Sequence, residues 1–359
     1  MKISVCMIVR NEEEVIERCL SCVGKFADEI VIVDTGSKDD TKTLAQKFTD
    51  KVFDFKWIYD FSAARNFSFA QASCDYVMWL DADDVVMDAD IAKINELKKL
   101  ENPADLYMFD YVLTHEEDGT PIFKYKRERL FRRDKNYQWV DPVHEVIVPS
   151  GRVENVDIKI YHKKQKAPEK GRNLNIYYHL RAKKVKFSPR QQFYFARELM
   201  FNGFEDRAIG EFCKFLKMKD AWLENKIQAC IDLSSCYQTL GMVERAKLVL
   251  LKSFLLAPPR SEVTCRLGNI FLEEKKLDEA IYWFKQSFNN EEGLNSGGFV
   301  EKDLHDFIPA LQLCYAYYLK GDYESSYKYH LVSQELKPND NSVLHNQNFF
   351  SNHFDNFGK

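Results

Sequence analysis

The chain has 359 residues, 45% of them hydrophobic and 14% aromatic, enough apolar material for two domains and too much for a globally disordered polypeptide. Its 51 basic and 55 acidic residues give a formal charge of −4 spread along the sequence, so no cationic block is available to track a nucleic-acid backbone, and nucleic acid is not an expected partner. No apolar run approaches the ~20 residues of a bilayer span.

The N-terminal "MKISVCMIV" meets Arg10 and three glutamates without a small-residue cleavage site, which reads as a first strand rather than a signal peptide. Next comes "EEVIERCLSCV", with Val15, Ile16, Cys19, Leu20 and Val23 at helical spacing. Asn11 followed by Glu14 has the form of a capping box for that helix. The stretches "EIVIVDTG", "DTKTLAQKF", "KVFDF", "FSAARNFSFAQA" and "DYVMWLDADD" continue the alternation of strand-length and helix-length patterns, which implies a mainly parallel sheet with crossover helices. After a helical stretch near 88–100, "DLYMFDYVL", "PIFKYKRERLF" and "VENVDIKIYH" read as strands of a mixed or antiparallel extension to the sheet.

From about residue 170 strands vanish and the sequence repeats. "EDRAIGEF", "VERAKLVL", "LDEAIYWF" and "YESSYKYH" place a small residue at Ala208, Ala246, Ala280 and Ser326, at separations of 38, 34 and 46. A 34-residue period is that of the tetratricopeptide helix pair, and the polar insertion "NNEEGLNSGGFVEKD" accounts for the long interval. Gly241 and Gly321 lie five residues before Ala246 and Ser326, and Pro258 and Pro338 twelve after them. An all-α solenoid follows, whose small residues let neighbouring helices approach and whose concave face suits a peptide or protein.

The nine cysteines are odd in number and scattered among apolar residues, which fits reduced core positions in a cytoplasmic protein. Cys19 and Cys22 form one C-x-x-C without a second pair at zinc spacing.

The chemistry concentrates at strand ends. "VMWLDADD" puts Asp81, Asp83 and Asp84 where a buried strand stops, the side of an α/β sheet on which ligands bind. Crowded carboxylates raise each other's pKa unless a cation compensates, and oxygen donors suit Mg²⁺ or Mn²⁺ shared with a substrate phosphate. A calcium loop is ruled out by Val85 and Val86, which stand where an oxygen ligand and a glycine are required. Asp34 and Gly36, with Arg10 and Asn11, end two further strands, but no G-x-G-x-x-G or Walker lysine loop accompanies them. "VDPVHEV" offers Asp141, His144 and Glu145 as proton acceptors; as an extended strand it would turn 144 and 145 to opposite sides, whereas Pro142 allows a turn. Arg129, Arg132 and Arg133 just upstream are candidates for a phosphate clamp.

"CMIVRNEE", "VIVDTGSKDDT", "DFSAARN" and "WLDADD", in this order, resemble the nucleotide-sugar domain of family 2 glycosyltransferases of the GT-A fold. "RLFRRDKNYQWVDPVHEVI" and "IKIYH" extend the likeness to the branch with tetratricopeptide repeats, including the bacteriocin peptide S-glycosyltransferases of the sublancin type. The resemblance implies a GT-A α/β domain (a Rossmann-like mixed sheet) over residues 1–165, a linker helix over 166–188, tetratricopeptide-like repeats over 189–345 and a C-terminal tail over 346–359. It implies that Asp34 bonds the nucleotide base, that Val9, Arg10 and Asn11 line base and ribose, and that Arg65 also contacts the base. Asp81 would face the ribose or the metal, Asp83 would bind Mn²⁺ or Mg²⁺, and His162 would complete the metal site. The His144–Glu145 pair would supply catalysis, with Glu145 as the base of an inverting hexosyl transfer from a nucleotide diphosphate sugar, expected to be UDP-linked. Ser, Thr or Cys of a peptide or protein held partly by the repeats is the expected acceptor; a cell-envelope glycolipid or polysaccharide, or a non-catalytic repeat scaffold, are the alternatives, and self-association is compatible with either. Two departures stand out: many members carry two adjacent aspartates where this chain has Asp34 and Thr35, and an aromatic where it has Arg10.

Overall fold

In the computed structural model, residues 1–115, 121–163, 169–294 and 300–353 are described. They form two units, Met1–Lys184 and Val185–Lys359.

The first unit runs β1 (Ile3–Val9), α1 (Ile16–Val23), β2 (Glu29–Asp34), α2 (Thr41–Ala45), β3 (Val52–Asp54), α3 (Phe61–Ala70), β4 (Tyr76–Trp79), β5 (Asp84–Val85), α4 (Asp88–Leu97), β6 (Leu106–His115), β7 (Pro121–Arg132), β8 (Trp139–Val140), β9 (Val146–Ile147), β10 (Val153–His162) and α5 (Arg172–Ala182). Eight strands make one sheet in the order β3-β2-β1-β4-β7-β6-β10-β5. β1 pairs in parallel with β2 and β4, and β2 with β3. These strands are apolar along nearly their whole length because helices cover both faces, and Ile3, Val5, Met7, Ile32 and Met78 are fully buried. β7 enters antiparallel to β4 and to β6, and β10 runs parallel to β6, so the extension is mixed.

Two local details bear on the site. Ile16, Cys19, Leu20 and Val23 form the buried stripe of α1, but the helix begins at Ile16 without a side-chain cap. The expected capping box is therefore absent; Asn11 instead takes a left-handed backbone, φ 55°, and spends its side chain on the loop after β2. At the far edge, β5 pairs antiparallel with β10 so that Asp84 stands opposite His162.

The second unit is all helical: α6 (Pro189–Phe201), α7 (Glu205–Leu216), α8 (Leu223–Thr239), α9 (Val243–Lys252), α10 (Ser261–Glu273), α11 (Leu277–Ser287), α12 (Phe307–Lys320), α13 (Tyr323–Leu336) and α14 (Asn341–His353). Ala208, Ala246, Ala280 and Ser326 fall on the second helix of successive pairs, all with zero exposure. Ser326 is polar yet satisfied, its hydroxyl donating to the Cys314 carbonyl at 2.7 Å. Close approach also explains Gly268 on α10, where an added Cβ would lie 2.6 Å from the Phe284 ring. The loop α12–α13 turns at Gly321 with φ 82°, a left-handed cap. Helix α14 continues past position 345, into the segment expected as a tail. Residues 164–168, which include the expected start of the linker helix, 295–299 of the polar insertion and 354–359 of the tail lie outside the described residues. Among the described residues no helix is long and apolar enough to cross a membrane.

Candidate active site

Helix α3 builds one wall. Asp60 caps it, accepting from the Ala63 amide at 2.9 Å. Ser62, Arg65 and Asn66 stand at helical spacing and so share a face, and each grips the 139–145 segment or its neighbours. The Ser62 hydroxyl donates to the Asp141 carbonyl, and the Phe61 amide donates to the Pro142 carbonyl at 2.8 Å. Asn66 takes both backbone groups of Trp139, accepting from its N–H at 2.8 Å and donating to its carbonyl at 3.0 Å. Arg65 donates from Nε to Glu145 Oε1 at 2.8 Å and from Nη2 to Asp81 Oδ1 at 3.0 Å. The "SAARN" motif is thus a docking face for the loop that carries the candidate base.

That loop is a turn. Asp141 and His144 have left-handed backbones, φ 71° and 55°, on either side of Pro142 and Val143, so strand alternation does not apply. Both His144 and Glu145 line one cleft of about 530 Å³ together with Arg65, Asp81, Asp83 and His162. Val9, Arg10 and Asn11 also border it. The sequence reading missed Trp57 and Phe61, which add an aromatic wall with rings 4.7 Å apart; no aromatic stands at Arg10, but this loop brings aromatic surface to the same cleft.

Beside the cleft, Asp34 is 4% exposed. Its Oδ1 accepts from the Gly36 and Ser37 amides at 2.7 and 2.8 Å, while Oδ2 is buried without a hydrogen-bond partner. A buried acceptor left empty is costly and marks a place for an incoming donor. Asn11 staples the two strand-end loops: its amide donates to Ser37 Oγ at 2.9 Å and its Oδ1 accepts from Lys38 N at 2.8 Å.

The carboxylates at the end of β4 have separate surroundings. Asp84 is fully buried; its Oδ2 accepts from the Asp81 amide and from Arg129 Nη1, both at 3.1 Å, and its Oδ1 from the Tyr111 hydroxyl at 3.0 Å. Burial pushes the Asp81 carboxyl up, but Arg65 and then Arg129 outweigh it and hold the group below its ordinary value. His162 Nδ1 lies 3.3 Å from Asp83 Oδ1 and 3.5 Å from Asp84 Oδ1. These contacts, Asp83 first, raise the imidazole pKa to about 10 against the opposing effect of burial. The two carboxylates thus concentrate negative potential at His162.

Asp83, Asp84 and His162 offer ligand atoms within 4.8 Å of one another, a mixed carboxylate and imidazole set able to hold a divalent cation. Of the three expected ligands, Asp83 and His162 fall in this group beside Asp84, while Asp81 lies outside it with its Oδ1 bonded to Arg65. The arginine clamp is not assembled. Arg129 is buried between the Trp79 ring, 3.5 Å away, and the Tyr111 ring, 4.4 Å away, while Arg132 bonds Asp105 at 3.3 Å and Arg133 the Cys74 carbonyl at 2.6 Å. Arg18 was also missed: from α1 its Nη2 donates to the Lys163 carbonyl at 2.9 Å, bracing the chain beside His162. Only the register of α1 against the sheet reveals this, and no motif signals it.

Residues 4–181 match the family described as Glycosyl transferase family 2. A TPR repeat-containing protein of Synechococcus elongatus is 36% identical over 148 residues, 41% of this chain and 35% of that protein. The SPbeta prophage-derived glycosyltransferase SunS of Bacillus subtilis is 27% identical over 218 residues, 56% of this chain and 50% of SunS. The lipopolysaccharide core biosynthesis glycosyltransferase LpsC of Rhizobium meliloti is 29% identical over 167 residues, 43% of this chain and 60% of LpsC. The chain spans about a third of the first relative's length, half of the second's and three fifths of the third's. With the match falling inside Met1–Lys184, the N-terminal unit is a glycosyltransferase family 2 domain.

Proposed function

We propose that the chain is an inverting, metal-dependent glycosyltransferase that moves a hexose from a nucleotide diphosphate sugar, UDP-linked by expectation, to a peptide or protein acceptor. The observation that carries this reading is the juxtaposition, in one cleft, of the Asp83–His162 pair and of Glu145 held by Arg65. The orphan Oδ2 of Asp34 supports it, since an acceptor there fits an N–H of a nucleotide base.

In this reading Val9, Arg10 and Asn11 wall the nucleoside, and Asp81 accepts from a ribose hydroxyl. Asp83 and His162 would hold the divalent cation, with Asp84 behind them as fixed negative charge, and the cation when bound would neutralise charge on the diphosphate leaving group. Glu145 takes the proton from the attacking hydroxyl or thiol as the acceptor bonds to the anomeric carbon and the bond from that carbon to the diphosphate oxygen breaks. His144, beside it in the turn, shapes the acceptor approach. The resemblance of the strand-end motifs to the bacteriocin peptide S-glycosyltransferases supports a peptide acceptor, with the helical pairs of the second unit as its docking surface. LpsC, at comparable identity, favours a second reading in which the acceptor is a cell-envelope glycolipid. A non-catalytic scaffold predicts damage to the carboxylate cluster, and Asp81, Asp83 and Asp84 are intact.

The test is turnover of a panel of nucleotide sugars with and without Mn²⁺, with Asp83→Ala as control. Metal-dependent turnover of one donor, lost in the variant, is the expected result. No turnover of any donor, with parent and variant alike, would refute the catalytic reading.

A further inference from the structure

We infer that Arg65 is a positioning residue for the proton acceptor, not a contact to the nucleotide base. The inference rests on the transferase reading and deepens it. Two of its three guanidinium nitrogens are committed to carboxylates, Nε to Glu145 and Nη2 to Asp81. Its side chain is 9% exposed, against 14% for Glu145 and 32% for Asp81. The guanidinium carbon lies 4.9 Å from the ring centres of both Trp79 and Trp139, so aromatic faces fix its plane as the hydrogen bonds fix its direction.

Both rings are themselves fixed. Trp79 is the last residue of β4, and its indole N–H donates to the Glu128 carbonyl at 2.6 Å. Trp139 is 2% exposed and has its backbone held by Asn66, the residue after Arg65. The clamp therefore belongs to α3 and the sheet, while Glu145 belongs to a turn with a left-handed neighbour. A glutamate on such a turn samples several rotamers unless something holds it. Among the described residues no side chain other than Arg65 bonds Glu145. Arg65 engages Oε1 and leaves Oε2 for the acceptor proton. The same guanidinium sets Glu145 against Asp81, so one rigid group relates the base to the donor side of the cleft.

A misplacement of about 1 Å in a reacting group costs up to ~100-fold in rate. Arg65→Ala is expected to lower kcat for hydrolysis of the UDP-sugar that the parent turns over by ~30–100-fold. UDP affinity, measured by calorimetry, is expected to fall by less than ~10-fold, because Val9, Arg10 and Asn11 are untouched and Asp81 loses only the partner of its Oδ1. Lysine supplies a point charge and no planar fork, so Arg65→Lys stays impaired, whereas guanidinium ion added to Arg65→Ala restores part of the rate. If Arg65 acts through Glu145, adding Arg65→Ala to Glu145→Ala costs less than ~3-fold further. Thermal midpoints check folding, and Arg65→Gln, which keeps size and one donor, replaces a variant that does not fold. A UDP affinity loss of ~10-fold or more with kcat preserved, or losses that multiply in the double variant, would overturn the inference. Failure of the parent to turn over any donor overturns the transferase reading and this inference with it; parent turnover with an unimpaired Arg65→Ala overturns the inference alone.

Discussion

Arg129→Met is the substitution whose effect the structure fixes most closely. Both members of the Arg129–Asp84 pair have fully buried side chains, 3.1 Å apart. Removing the arginine leaves Asp84 charged with two neutral donors, the Asp81 amide and the Tyr111 hydroxyl, and with the His162 imidazole 3.5 Å away. Breaking one side of a buried pair costs ~3–5 kcal/mol, and loss of the cation from between the Trp79 and Tyr111 rings belongs within that range. At ~2 kcal/mol per molar urea for a unit of this size, the first unit's unfolding midpoint falls by ~1.5–2.5 M. The partner change Asp84→Asn in the Arg129→Met background removes the stranded charge and recovers part of that loss. Urea titration of the full chain, with hydrogen exchange of β4 and β7 to assign the transition, measures both. A single-variant shift below ~0.5 M, or a double variant worse than the single, would refute a buried pair acting as a unit.

Asn66→Ala strands the N–H and carbonyl of Trp139, a cost of ~2–4 kcal/mol for two buried backbone groups, with the 139–145 turn losing exchange protection before the sheet does; uniform protection would contradict the docking role of α3. Gly268→Ala drives a Cβ into the Phe284 ring and destabilises the helical unit by ~1–3 kcal/mol, read from the thermal transition of that unit; an unchanged midpoint would show that the ring gives way. Asp83→Asn weakens Mn²⁺ binding at least ~10-fold, read by paramagnetic resonance of the free ion, and equal affinity would remove Asp83 from the cluster. Burial pushes the Glu29 carboxyl up, but hydrogen bonds from Lys51, Ser4 and Ser73 overcome it and hold the group at about 2 against an ordinary 4.5. Its folded value is depressed, so its stabilisation is complete above about pH 4.5 and is lost as pH falls towards about 2. The stability gap between parent and Glu29→Gln therefore narrows from pH 7 to pH 3, and a constant gap would mean Glu29 titrates normally.

The order of elements was legible because each element carries its own period: β1, β2 and β4 are continuous apolar runs, and the second unit marks its helix pairs with Ala208, Ala246, Ala280 and Ser326. The strand-end acids and the "SAARN" and "VDPVHE" segments were legible as a set. What they touch was not. "KRERLFRR" looks like a solvated run or a clamp, yet Glu128, Arg129 and Leu130 are all buried, because β7 breaks register with β6 between Tyr107 and Met108. A bulge of that kind depends on the partner strand and leaves no trace in the strand's own alternation. Asn11 followed by Glu14 satisfies the letter of a capping box, but the loop after β2 offers Asn11 the Lys38 amide, and a tertiary hydrogen bond replaces the local one. Whether 141–145 is strand or turn depended on α3, whose Ser62 and Phe61 hold the carbonyls of Asp141 and Pro142.

Three aspartates in four positions would repel one another in a bare turn; in this fold each has a basic partner from a different element. Arg65 of α3 takes Asp81, Arg129 of β7 takes Asp84, and His162 of β10 lies against Asp83. The partners differ in what they leave open. Asp84 has no exposure and both oxygens engaged, and the Arg65 bond occupies Asp81 Oδ1. Asp83 and His162 retain 20% and 24% of their side-chain surface and border the cleft. The arginines therefore let the acidic turn fold before any ligand arrives: Arg129 closes off Asp84, and Arg65 takes one oxygen of Asp81, whose side chain stays 32% exposed. In the proposed reading, a cation entering with a diphosphate would meet Asp83 and His162 first, with Asp84 beneath them as fixed negative charge.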